Sequence, residues 1–222
     1  MSGRSSSLLS LLLLVSVPVS LAAADDARTL AQRVAEAAGL SAWSAIDTLH
    51  FSFTHHPSDT TRSYRWQVDE GLVTVQMDDA EIEIPADGPR GDNPGEQEVQ
   101  AHKAFVNDSY WLLFPLQVVW DPSVALRRKE AGPIPQWPDL GPATPLVVEY
   151  PDSGGYTPGD TYVLYIGAED RPLAWAYHPG GQEEAKFVIS WQDWQPVAGL
   201  QVPTRFTTPD GEAFITLTAS VP

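Results

Sequence analysis

The 222-residue chain contains no cysteine. That excludes a disulfide framework and thiol chemistry, so stability must come from burial. Positive charge is scarce as well, with 13 Lys and Arg against 29 Asp and Glu and a net charge of -16. Nucleic-acid backbones and anionic lipid surfaces are bound through clustered Lys and Arg, so neither is an expected partner, and no stable membrane anchor is expected. Catalytic signatures are missing too. There is no Gly-x-Ser-x-Gly and no His-Glu-x-x-His, and Ser153 in "PDSGGY" stands in a glycine-rich turn rather than a strand-to-helix elbow. Of the histidines, "LHFSFTHHP" puts His50 and His56 on one face of a strand and His55 on the other, with His102 and His178 remote in sequence. This spacing is not that of a ligand set, so no metal and no cofactor are expected. Carboxylate pairs such as Asp79 with Glu81 read as solvated surface.

The first apolar run stands at the start of the chain. A lone Arg4, an apolar run from Leu8 to Val19 and the small residues Ala22 to Ala24 have the order of a secretory signal peptide. The run falls short of the roughly 20 residues needed to span a bilayer. Cleavage is expected near Ala24, which implies a periplasmic or secreted protein with residues 25–222 as one domain. No cysteine near that site could carry a lipid.

What the chain does have is period and aromatic mass. From Asp25 the residues Leu30, Val34, Ala37 and Ala38 recur at helical spacing, with Asp25 and Asp26 at the N-terminal end and Gly39 as the stop. Beyond Ile46 the period becomes two. Leu49, Phe51 and Phe53, then Tyr64, Trp66 and Val68, then Val73, Val75 and Met77, then Ile82 and Ile84 predict a four-stranded antiparallel meander. The same period returns from Leu146 to Tyr150, over Thr161 to Ile166, in Leu173, Trp175 and Tyr177, in Phe187, Ile189 and Trp191, from Val202 to Thr207, and in Ile215 and Leu217. Turn signals separate these runs about every ten residues.

Between the two sets lies an insertion, about residues 95–145. It begins with a short helix predicted from Gly95 to Phe105. Next comes "NDSYWLLFPLQVVWD", in which Asn107 to Ser109 are expected to cap a helical turn carrying Tyr110 to Phe114, and Pro115 to end it. Five prolines from Pro133 to Pro145 then predict a long irregular excursion of the kind that forms lids or binding segments. "RGD" at Arg90 to Asp92 and the glycosylation triplet at Asn107 to Ser109 are short enough to arise by chance.

The segments "FVNDSYWLLFPLQVVWDPSV", "DTYVLYIGAEDRPLAWAYHP" and "FVISWQDWQPVAGLQVPTRFTTPDGE" resemble an uncharacterised exported branch of the LolA-like superfamily of periplasmic lipoprotein carriers. The resemblance covers roughly Asp26 to Ser220. It implies an α+β fold in which a strongly curved antiparallel half-barrel carries an N-terminal helix and a helical or irregular lid on its concave face. It also implies a non-enzymatic carrier or binder, a monomer, for an apolar ligand such as an acyl chain, lipid or lipoprotein, with a membrane-associated delivery partner. The expected wall is Phe51, Phe53, Trp66, Trp175 and Trp191, closed by Tyr110, Trp111 and Phe114. The Pro-rich excursion and the absence of an assignable lid-locking arginine depart from the carrier pattern. Eight tryptophans leave two other readings open: a carbohydrate-binding module using surface aromatics, or a hydrolase built on His50, His56 and a carboxylate.

Overall fold

The structure is a computed structural model that describes residues 19–91, 93–154, 156 and 158–222, with side chains from Asp25 onward. The expected signal peptide therefore lies outside the described residues, apart from the backbone of 19–24, and so does Asp92 of the "RGD" triplet.

Helix α1 spans Val19–Ala37. It begins upstream of Asp25 and Asp26, so these acids sit inside it rather than at its start, and the Asp26 carboxylate instead pairs with Arg128 at 2.8 Å. Ala27, Leu30, Ala31 and Val34 form its buried stripe, at the spacing of one helical face, and Ala38 just past its end continues it. Gly39, with φ at 96°, ends it in a left-handed conformation. A Cβ at Gly39 would lie 2.4 Å from the carbonyl oxygen of Gly199, so glycine is required here for space as well as for dihedral angle.

The expected meander forms β1 (Thr48–His55), β2 (Thr60–Gln67), β3 (Leu72–Met77) and β4 (Ala80–Pro85). After α2 (Glu96–Trp120) come β5 (Ala125–Arg128), β6 (Gly132–Ile134), β7 (Trp137–Glu149), β8 (Thr161–Ile166), β9 (Pro172–His178), β10 (Phe187–Val197), β11 (Leu200–Thr207) and β12 (Ala213–Ser220). Together they make one open antiparallel sheet in the order β4-β3-β2-β1-β12-β11-β10-β9-β8-β7-β5, with β6 paired to β7. The fold class is α+β. Pairing of β1 with β12 joins the N-terminal meander to the last strand, with Phe53 opposite Leu217.

Two corrections concern the insertion. First, α2 is one helix, not a short helix followed by a capped turn. Asn107, Asp108 and Ser109 lie within it, and Pro115 kinks it rather than ending it. Leu113, at φ -125° and ψ 18°, takes up the bend, because the proline ring cannot fit against the carbonyl four residues back and offers no N–H to it. Second, the Pro-rich segment is not irregular. Its residues build β5, β6 and the long β7, and Pro133 stands opposite Pro142 in the β6–β7 pair. The first part of β7 pairs with β6 alone, and β8 joins only from Thr144, so Pro138 and Pro142 occupy stretches with a free flank. Pro145, farther along, still accepts a hydrogen bond from the Lys129 N–H through its carbonyl.

This hairpin also changes where the core sits. Side chains of β8 split by parity: Leu164 and Ile166 join the large core with α1 and α2, while Val163 and Tyr165 point the other way. On that second face Ile134 and Ala143 of the hairpin cover Val147, Ala174, Ala176 and Val188, with Trp137 packed at the edge. The indole of Trp137 donates to the Val188 carbonyl at 3.2 Å. The strands from β7 to β10 are therefore buried on both faces, the helices taking one and the Pro-rich hairpin the other.

Candidate functional site

Between α2 and the helix-bearing face of the sheet lies a cleft of about 930 Å³. Its wall grows from alternation. Tyr162 on β8, Trp175 and Tyr177 on β9 and Phe187 on β10 share the face on which α2 packs. Trp175 is the centre of this cluster, with ring centroids 4.6 Å from Trp111, 5.1 Å from Phe114, 5.2 Å from Tyr162 and 5.5 Å from Trp191. Tyr162 stacks on Tyr177 at 5.1 Å. From the middle of the sheet come Phe53 of β1 and Phe214 and Ile215 of β12.

Of the residues expected to line a site, Phe53, Tyr110, Trp111 and Trp175 do border this cleft. The remaining four stand behind it in the core. Phe51 stacks on Tyr64 at 4.4 Å, Trp66 lies edge-on to Phe105, Phe114 is fully buried and Trp191 packs on Phe206. Tyr162, Tyr177 and Phe187 line the cleft as well; the period-two pattern puts Tyr177 and Phe187 on the inner face with Trp175, but none of the three is among the expected wall residues. Tyr150 continues the period-two run of Leu146 and Val148 and is passed over in the same way, whereas Tyr156 carries no such signal, because it arrives with the segment connecting β7 to β8.

From that segment Pro151, Ser153, Gly154 and Tyr156 border the cleft. Tyr156, 42% exposed, hydrogen-bonds through its hydroxyl to Nδ1 of His102 at 2.5 Å. His102 Nε2 faces the Ala86 carbonyl at 3.2 Å, an acceptor, so in the neutral ring Nε2 carries the proton and Nδ1 accepts from Tyr156. Lys103, one residue on, places its ammonium 5.7 Å from the Tyr156 ring centroid.

The floor near Phe53 is polar and closed. Arg62 lies 5.0 Å over the Phe53 ring and donates from Nε and Nη2 to the two carboxylate oxygens of Asp108, at 2.7 and 2.8 Å. Tyr64 and Asn107 donate to the same carboxylate at 2.5 and 2.8 Å. Burial pushes the Asp108 carboxyl up, and these four donors oppose that push. Burial likewise works against the charge on Arg62, but the hydrogen bonds and charge of Asp108 outweigh it and raise the guanidinium's pKa. The fork-to-carboxylate geometry is that of an ionised pair.

The tyrosine hydroxyls are held neutral. Burial pushes Tyr110 and Tyr150 up, and Tyr177 is pushed up to about 12 by burial and then by its hydrogen bond to Asp160. His55, at the rim, is lowered by burial and then by the charge of Arg62. Among the described residues the buried indole N–H of Trp175 has no acceptor. His50 does not line the cleft, and His56 is bonded to Thr216 at 3.1 Å. Among the described residues no three His, Cys, Asp or Glu side chains stand close enough to hold a metal ion. The arrangement thus offers an apolar, aromatic wall, neutral hydroxyls and a charged rim. No protein-family model matches the chain, and a search of curated proteins found no significant match.

Proposed function

We propose that the protein is an exported, non-enzymatic carrier or binding protein for an apolar ligand carrying an acyl chain. In this reading the open sheet acts as a curved half-barrel, its concave face lined by Phe53, Trp111 and Trp175, with α2 and the β7–β8 segment as the cover. The single observation that carries it is the cleft of about 930 Å³ walled by aromatic rings. That volume suits a ligand of lipid size, at the upper end of the usual range for small-molecule sites. Burying an acyl chain of about fifteen carbons would yield on the order of 10 kcal/mol before ordering costs, so no catalytic group is needed to explain the site. The resemblance to LolA-type carriers points the same way, and with it come a monomeric state and a membrane-associated delivery partner.

Neither alternative gains comparable support. A carbohydrate platform needs a row of exposed rings, and among the described residues Tyr156 is the one large hydrophobic side chain that is exposed. A hydrolase built on His50 and His56 would need both in one cleft, and neither borders this one.

The test is mass spectrometry of lipids extracted from gently purified protein, together with tryptophan fluorescence during titration with a long-chain lipid. Trp111 and Trp175 both touch the cleft, so the emission is expected to shift as ligand enters. Protein free of lipid and an unresponsive spectrum would refute the carrier reading.

A further inference from the structure

The rim of the cleft has a charge opposite to that of the chain. Only three lysines, Lys103, Lys129 and Lys186, occur in a protein of net charge -16, and two of them, Lys103 and Lys186, border the cleft. Among the described residues neither is in an ion pair; Lys103 meets only the face of Tyr156. The other strong cation there, Arg62, is already spent on Asp108 through both of its forward nitrogens. Asp121 is the acidic residue of the lining, and its Oδ1 accepts from the backbone N–H and the hydroxyl of Ser123. Counting Lys103 and Lys186 against Asp121, and Arg62 with Asp108 as a closed pair, leaves an excess of one positive charge beside an aromatic wall.

Resting on the carrier reading above, we infer that the ligand is a single-chain amphiphile with a monoanionic head, a long-chain carboxylate of the fatty-acid type. Its chain lies along Trp111 and Trp175, and its head meets Lys103 and Lys186 at the mouth. One excess charge matches a carboxylate better than a phosphate monoester, which carries closer to two. The free cations are moreover ammonium point charges, while the guanidinium fork that suits phosphate is occupied. The general acidity of the surface then serves selectivity: it repels anions everywhere except where two ammoniums stand over an apolar cavity.

Three probes with the same chain separate the possibilities: dodecanoate, dodecanol and dodecyl phosphate, each titrated into the full protein with tryptophan fluorescence as readout. Dodecanoate is expected to bind about tenfold more tightly than dodecanol, the scale of two partly exposed charge contacts, and to lose that advantage at high salt. The double variant Lys103→Gln, Lys186→Gln should bind dodecanoate about as weakly as dodecanol while keeping its affinity for dodecanol, which also shows that it is folded. Equal binding of acid and alcohol by the unaltered protein overturns the head-group assignment and leaves the apolar site standing, as does a double variant that keeps the preference. Tighter binding of dodecyl phosphate than of dodecanoate overturns the choice of a carboxylate. Failure of all three to bind overturns both this inference and the carrier reading beneath it.

Discussion

Arg62 on β2 and Asp108 on α2, 46 residues apart in sequence, are joined by a bidentate ion pair in which the carboxylate is fully buried and the guanidinium is 18% exposed. The pair ties the insertion helix to the N-terminal meander across the floor of the cleft. Replacing Arg62 alone leaves Asp108 buried and short of its main donors, with only Tyr64 and Asn107 remaining. Arg62→Met is therefore expected to lose about 3 kcal/mol of stability in urea unfolding. The double variant Arg62→Met, Asp108→Leu should recover much of that loss, because no uncompensated charge remains. A double variant less stable than Arg62→Met would contradict this account.

Backbone space at the end of α1 makes a sharper prediction. Gly39→Ala would set a Cβ 2.4 Å from the Gly199 carbonyl and 2.7 Å from the Leu200 Cα, both main-chain atoms that cannot swing aside. A loss of more than about 1 kcal/mol is expected, beyond the cost of the left-handed angle alone. Gly71, with φ at 63° and nothing within 4 Å of its virtual Cβ, supplies the control. Gly71→Ala should cost only the conformational part, and thermal melts of the two variants side by side will separate the steric effect from the dihedral one.

The tyrosines set the behaviour at high pH. Tyr64, Tyr150 and Tyr177 are all raised above the ordinary value of 10.0, chiefly by burial, Tyr177 to about 12 and the other two further. The folded state thus holds its phenol protons more tightly than the unfolded chain does. Their contribution to stability is fully present below pH 10 and falls as pH rises above it, that of Tyr177 being lost through about 12 and that of the other two only beyond. The midpoint of thermal unfolding is expected to fall over that window. Absorbance of phenolate should show Tyr156, the exposed ring, ionising before Tyr177, with Tyr64 and Tyr150 appearing only as the protein unfolds.

The two faces of the sheet should respond independently. Trp137 packs on the face away from the cleft and donates to the Val188 carbonyl. Trp137→Ala is expected to cost about 2 kcal/mol, less than a fully buried tryptophan because Trp137 is half-buried. Affinity for a ligand in the cleft should be unchanged when measured below the unfolding range. A parallel Trp175→Ala variant should lose both stability and binding, since that ring belongs to core and cleft alike.

Much of this was legible in the residues themselves, for identifiable reasons. Phe51 and Tyr64 come out on the same face and directly opposite each other because strand alternation has period two and a short turn fixes the register. Gly39 marks the end of α1 because no other residue fits its angle and space. The Pro-rich segment was misleading because proline forbids only the hydrogen bond from its own nitrogen. Once Pro138 and Pro142 stand where β8 has not yet joined β7, that loss costs little. Pro115 misled for a similar reason: packing of Trp111, Leu112, Phe114 and Leu116 into the core holds α2 together through the kink.

By its pattern alone the sequence determined an acidic, disulfide-free α+β protein with antiparallel strands and a surplus of aromatic side chains on one strand face. Periodicity and charge are local or additive properties, so a single chain states them directly. Which rings line a cleft and which only support it was decided by tertiary structure. Phe53 and Phe51 share a strand and a face, yet only Phe53 borders the cavity, because the course of α2 across the sheet determines what remains uncovered. The same holds for Lys103 and Lys186, 83 positions apart in the chain and brought to one cleft only because α2 packs on the sheet face to which Lys186 leads.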